Sequence, residues 1–92
     1  MHSHSAQKDL LTFPCHYTFK AFGPGDQDGT FSTTVQAAVS RVVPVSRHAM
    51  RSRASARGTY QCVSVLVTLH SWAQLEAIYR ELRAIDNLKY LL

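Results

Sequence analysis

The chain has 92 residues, 46% hydrophobic and 17% charged, with ten Lys and Arg against six Asp and Glu and a formal net charge of +4. That is one domain's length, a folded rather than a disordered composition, and enough chain to bury about 60–65% of its unfolded surface in one modest core. The longest apolar run, Val63 to Leu69, is interrupted by Ser64 and Thr68, short of the roughly 20 residues of a membrane helix. The polar start, Met1-His2-Ser3-His4, lacks the apolar segment of a signal peptide, so a soluble cytoplasmic protein is expected.

Residues 1–12 read as a largely disordered tail that begins to dock at Leu10-Leu11, and 13–92 as a single domain. Phe13-Pro14 is a rigid lead-in. From Cys15 to Phe22, Tyr17, Phe19 and Ala21 alternate with His16, Thr18 and Lys20, the period of a strand. Gly23 to Gly29 is a loop. Phe31, Val35, Ala38, Val39, Val42 and Val43 then recur at helical spacing, which predicts a helix starting near Asp28 or Thr30 and stopped by Pro44.

Arg47 to Ser55 alternates weakly and carries three arginines, as an exposed edge strand would; charge there opposes sheet-to-sheet aggregation. After a turn at Ala56-Arg57-Gly58, Tyr60 to Leu69 is the strongest strand. Val63, Val65, Val67 and Leu69 line one face and Tyr60, Cys62, Ser64, Leu66 and Thr68 the other, a content that suits a central position. Ser71 and Gln74 form a capping box opening a helix with Trp72, Leu75, Ile78, Tyr79, Leu82 and Ile85 on one stripe. Asp86-Asn87 turns the chain, and Leu88 to Leu92 is a last short strand.

The order β-α-β-β-α-β, with right-handed crossovers, leads to an α+β ferredoxin-like two-layer sandwich: an antiparallel sheet ordered 4-1-3-2 with two helices on one face. Cys15 and Cys62 then fall on opposite faces, and no disulfide is expected.

Three separated motifs stand in order: Phe13-Pro14 before the strand ending Lys20-Ala21-Phe22-Gly23, then Ser55 to Val65, then Leu75-Glu76-Ala77-Ile78-Tyr79-Arg80-Glu81-Leu82 leading to Leu91-Leu92. In these the chain resembles the YbeD-like family of small bacterial proteins, often labelled lipoate regulatory proteins, over about residues 11–92. Its first loop is longer and richer in glycine than the family pattern. The resemblance implies a fold similar to ACT regulatory domains and a regulatory role associated with lipoate biosynthesis; it transfers no catalytic residue.

Three candidate surfaces remain. Arg41, Arg47, Arg51, Arg53 and Arg57 lie within residues 41–57, while the rest of the chain has five basic against six acidic residues. The basic edge formed by Arg47, Arg51, Arg53 and Arg57 allows weak, phosphate-directed nucleic-acid binding as an alternative. The aromatic positions of an RNA-recognition motif starting at Arg57-Gly58 fall instead on Thr59 and Gln61, so a solvated edge is the plainer expectation. The loop with Gly23, Gly25, Asp26 and Asp28 is where an ACT-type small-molecule sensor would hold an amino acid, although two carboxylates there repel an anion.

The uncovered sheet face, expected to present Thr18, Phe22, Tyr60, Cys62, Leu66 and Leu91, is more apolar than a solvated sheet needs and predicts a homodimer or an unidentified protein partner. Catalysis finds no support. Cys15 and His16 point to opposite faces, His48 and His70 have no assigned carboxylate, and His2 and His4 are two ligands only. No metal or cofactor is expected. The leading expectation is a non-enzymatic regulatory or adaptor module acting by protein contact.

Overall fold

The computed structural model describes residues 11–26 and 28–92. Of the expected tail, 1–10 lies outside the described residues, while Leu11 is half-buried against the core. The elements are β1 (Cys15–Pro24), α1 (Thr30–Ser40), β2 (Met50–Ala54), β3 (Tyr60–Leu69), α2 (Trp72–Arg83) and β4 (Tyr90–Leu91). The sheet order β2-β3-β1-β4, antiparallel throughout, is the expected 4-1-3-2 arrangement of the ferredoxin-like sandwich.

The two long strands pair over their full length, from Cys15 opposite Leu69 to Pro24 opposite Tyr60. Alternation along both sends Phe19, Ala21, Val63, Val65 and Leu69 to the helix side, where all are buried. The helices answer with Phe31, Val35 and Val39 from α1 and Leu75, Ile78 and Leu82 from α2. Each fully buried Phe, Val, Leu or Ile side chain among them contributes about 1.5–3 kcal/mol relative to exposure, and together they hold the sheet's two faces in this assignment. At one end the Phe13 ring meets Trp72 edge-on at 5.5 Å, following a cis peptide bond between Phe13 and Pro14.

Several boundaries differ from expectation: β1 runs two residues further, through Gly23 and Pro24, and β4 is Tyr90–Leu91 rather than Leu88 to Leu92. α1 ends at Ser40, four residues before Pro44, and the chain leaves through bonds from the Val42 and Val43 N–H groups to the Val39 carbonyl. Pro44 disfavours helical backbone at the residue before it, so the helix cannot run up to the proline. Arg47, expected on the edge strand, lies instead on a 3-10 turn, Arg47–Ala49, whose entry is capped by Ser46 accepting from the His48 N–H at 3.2 Å. The strand proper therefore begins at Met50.

Candidate functional site

The loop after β1 is closed onto the β2–β3 hairpin. The Gly25 N–H donates to the Thr59 carbonyl at 2.9 Å, and a Cβ at Gly25 would run into the Gly58 carbonyl. Gly23 is buried beneath the Phe31 ring, which leaves it no room for a side chain. Gln61, 6% exposed, joins three strands: its Nε2 donates to the Pro24 carbonyl at 2.8 Å and its Oε1 accepts from the Ser52 hydroxyl at 2.6 Å. Both glycines proposed as ligand positions are thus packing residues. A shallow hollow of about 360 Å³ beside Asp26, Ser52 and Gln61 is what the loop leaves open.

The donors at the start of α1 are also engaged. Asp26 accepts from the Gly29 and Phe31 N–H groups at 3.2 and 3.0 Å. Asp28 accepts from the Thr30 N–H at 3.0 Å and the Thr30 hydroxyl at 2.6 Å, and these bonds hold its carboxyl below the usual 3.8. The chain's own carboxylates occupy the positions that a ligand's carboxylate would need.

The far end of the sheet carries an open cleft of about 430 Å³ bounded by His16, Thr68, His70, Gln74, Val43 and Pro44. His16 Nδ1 lies 3.4 Å from the Thr68 hydroxyl. The expected capping box closes here, Ser71 accepting from the Gln74 N–H at 3.2 Å and Gln74 accepting from the His70 N–H at 2.7 Å. Among the described residues, no three of His, Cys, Asp and Glu come together as a metal site.

The open face of the sheet gathers more than the sequence indicated. Among the described residues the exposed large hydrophobics are Tyr60 (49%), Leu66 (46%), Tyr90 (61%) and Leu92 (52%). Tyr60 and Leu66 share the outward parity of β3 with Cys62, which is half-buried and faces away from Cys15. Tyr90 stands opposite Phe22, ring centroids 5.9 Å apart, and Leu92 exchanges both backbone bonds with Lys20, at 2.8 and 3.0 Å, which sets it on the same face.

Leu91 is the exception to the expected set. It pairs with Ala21, whose side chain points inward, so Leu91 packs against the core and Tyr90 takes the outward place. A strand of two residues carries too little pattern to reveal its parity; the register with β1 decides it.

The register of β2 supplies the other half of the face. Arg51 stands opposite Ser64 and Arg53 opposite Cys62, both outward positions, whereas Met50 and Ser52 stand opposite Val65 and Val63. One row across the sheet runs Arg53, Cys62, Phe22, Tyr90, and the next Arg51, Ser64, Lys20, Leu92. The basic edge and the apolar face are therefore one surface, with Arg47 on the 3-10 turn and Arg57 on the hairpin turn beyond its corners. Gln61 and the joint rows are what sequence reasoning missed; a polar residue at core parity in β3 was the available signal for the first.

A family model described as a protein of unknown function, DUF493, matches residues 8–92. A UPF0250 protein of Shewanella loihica is 42% identical over 84 residues, covering 91% of this chain and 92% of that protein. Another from Vibrio parahaemolyticus is 33% identical over 92 residues, covering 100% and 97%. The solution structure of protein HP0495 from H. pylori superposes with a TM-score of 0.69 at 14% identity over 100% of this chain and 94% of that one, a likeness of fold.

Proposed function

This chain belongs to the DUF493 family, the YbeD-like UPF0250 proteins, and from that premise we propose that it is a non-enzymatic regulatory or adaptor module acting by protein contact through the open face of its sheet. The observation that carries the proposal is the gathering of Tyr60, Leu66, Tyr90 and Leu92 on the one layer surface that no helix covers. A small protein that collects its exposed large apolar side chains in one place has a surface suited to association. Elsewhere, polar pairs such as Tyr17 with Tyr79 and Ser52 with Gln61 hold the chain together.

The lipoate connection rests on the YbeD-like resemblance and makes a cytoplasmic protein of lipoate metabolism the partner to try first; no helix among the described residues is long and apolar enough to cross a membrane. An amino-acid sensor of ACT type has less in its favour, because Asp26 and Asp28 already engage the loop's donors.

Immobilised wild-type chain is expected to retain from cell extract a protein that Leu66→Asp and Tyr90→Ser release and that Arg80→Ser, on α2, does not. Equal retention by all three variants removes the face from consideration. A rise in melting temperature with an amino acid, octanoate or lipoate at saturation would favour the sensor instead.

A further inference from the structure

The open face has a charge pattern as definite as its apolar one. Lys20, Arg51 and Arg53 stand on it, and none of the described Asp or Glu side chains does. Asp26 and Asp28 lie in the loop and bond to the start of α1, Glu76 and Glu81 are on α2, and Asp86 follows that helix. The cations run through the apolar surface: Arg53 shares a row with Phe22 and Tyr90, and Lys20 stands opposite Leu92. Covering the apolar residues therefore means covering the cations with them.

This pattern separates the possible occupants. A two-fold dimer presents each surface to its own copy, so face-to-face pairing would bury two sets of Lys20, Arg51 and Arg53 with no Asp or Glu side chain among the described residues of the face to meet them. Buried cations need opposite charges, and like charges brought together act against association. A single nucleic acid strand answers the cations and can stack on Phe22, Tyr60 and Tyr90, but the aliphatic Leu66 and Leu92 offer bases no stacking surface. A protein segment with both apolar side chains and carboxylates satisfies every part of the face.

We infer that the open sheet face docks an acidic protein segment with apolar anchors, rather than a second copy of this chain. The inference rests on the reading of this face as a docking surface and adds the chemistry of the partner. Apolar side chains of the partner cover Leu66, Tyr90 and Leu92, and its Asp or Glu residues meet Arg51, Arg53 and Lys20. The association weakens with added salt because its charged part is screened.

The test uses the full chain, isotope-labelled, titrated with a defined peptide rich in Asp, Glu and Leu, with the same peptide carrying Lys at every acidic position, and with oligouridylate. The expected result is that the acidic peptide moves the resonances of Phe22, Arg51, Arg53 and Leu66, that the Lys peptide does not, and that Arg51→Glu/Arg53→Glu weakens the acidic peptide at least tenfold. Melting curves of this double variant, expected to match those of the wild type, check that it folds. Equal response to both peptides, stronger binding of oligouridylate at the same resonances, or a concentration-dependent dimer dissolved by Leu66→Asp would each overturn the inference. A partner retained from extract, released by Leu66→Asp yet held undiminished by Arg51→Glu/Arg53→Glu, leaves the docking face standing and removes its acidic occupant.

Discussion

The phenolic oxygens of Tyr17 on β1 and Tyr79 on α2 lie 3.0 Å apart and form the polar contact between sheet and helix at the edge of an aromatic group. The Phe19 ring packs against both, 4.8 Å from that of Tyr17 and 5.0 Å from that of Tyr79, and the Arg83 guanidinium lies 5.5 Å from the Tyr79 centroid. Burial, and then the bond to Tyr17, push the Tyr79 hydroxyl well above its ordinary value of 10.0.

Unfolded Tyr79 loses its proton near pH 10, folded Tyr79 only above that, so the associated stability is complete below pH 10 and is lost as pH rises beyond it. Tyr79→Phe should flatten this alkaline loss while costing about 1 kcal/mol at neutral pH for the missing hydrogen bond. Denaturant melts of both proteins across the alkaline range check it, and equal alkaline slopes would contradict it.

Gln61→Met keeps the volume and removes the amide that ties Ser52 to Pro24. Ser52 is exposed and turns to water, so the loss falls mainly on the half-buried Pro24 carbonyl and should cost about 1 kcal/mol. Amide exchange of residues around the hairpin turn should quicken with it, a local signature that a general loss of packing would not give.

Asp28 shows the opposite pH dependence to Tyr79. Its folded carboxyl titrates below 3.8, so its contribution is present above that value and fades as pH falls through the folded value. Asp28→Asn should make the acid limb of the stability curve shallower. Asp26→Ala, which frees the N–H groups of Gly29 and Phe31, should cost about 1 kcal/mol at neutral pH as a lost cap.

Phe19→Ala and Leu66→Asp should separate core from surface. Phe19 is fully buried, and its truncation should cost about 3–5 kcal/mol, a large share of the roughly 5–15 kcal/mol of a small domain. Leu66→Asp should stay within about 1 kcal/mol, the span of strand propensity at an exposed site. A Leu66→Asp variant as unstable as Phe19→Ala would mean that the residue belongs to the fold rather than to its contacts.

The two long strands, both helices and their order could be read from the sequence because each has a sustained pattern: Val63 to Leu69 alternates except at Leu66, and Phe31 to Val39 recurs at helical spacing. β2 and β4 could not be read to the same depth. Their side-chain directions come from pairing with β3 and β1, and register is a long-range property that five or two residues do not encode. Hence Leu91 and Tyr90 exchanged places, Arg47 left the strand, and the arginines joined the apolar face.

The layers also differ in their electrical balance. On α2, the turn after it and the exit of α1, Arg41, Arg80 and Arg83 match Glu76, Glu81 and Asp86, whereas Lys20, Arg51 and Arg53 stand unmatched on the other side. That local excess of positive charge on the open sheet face attracts an anionic body before the two touch. Approach is then steered to this face, and ionic strength should slow capture far more than it hastens release.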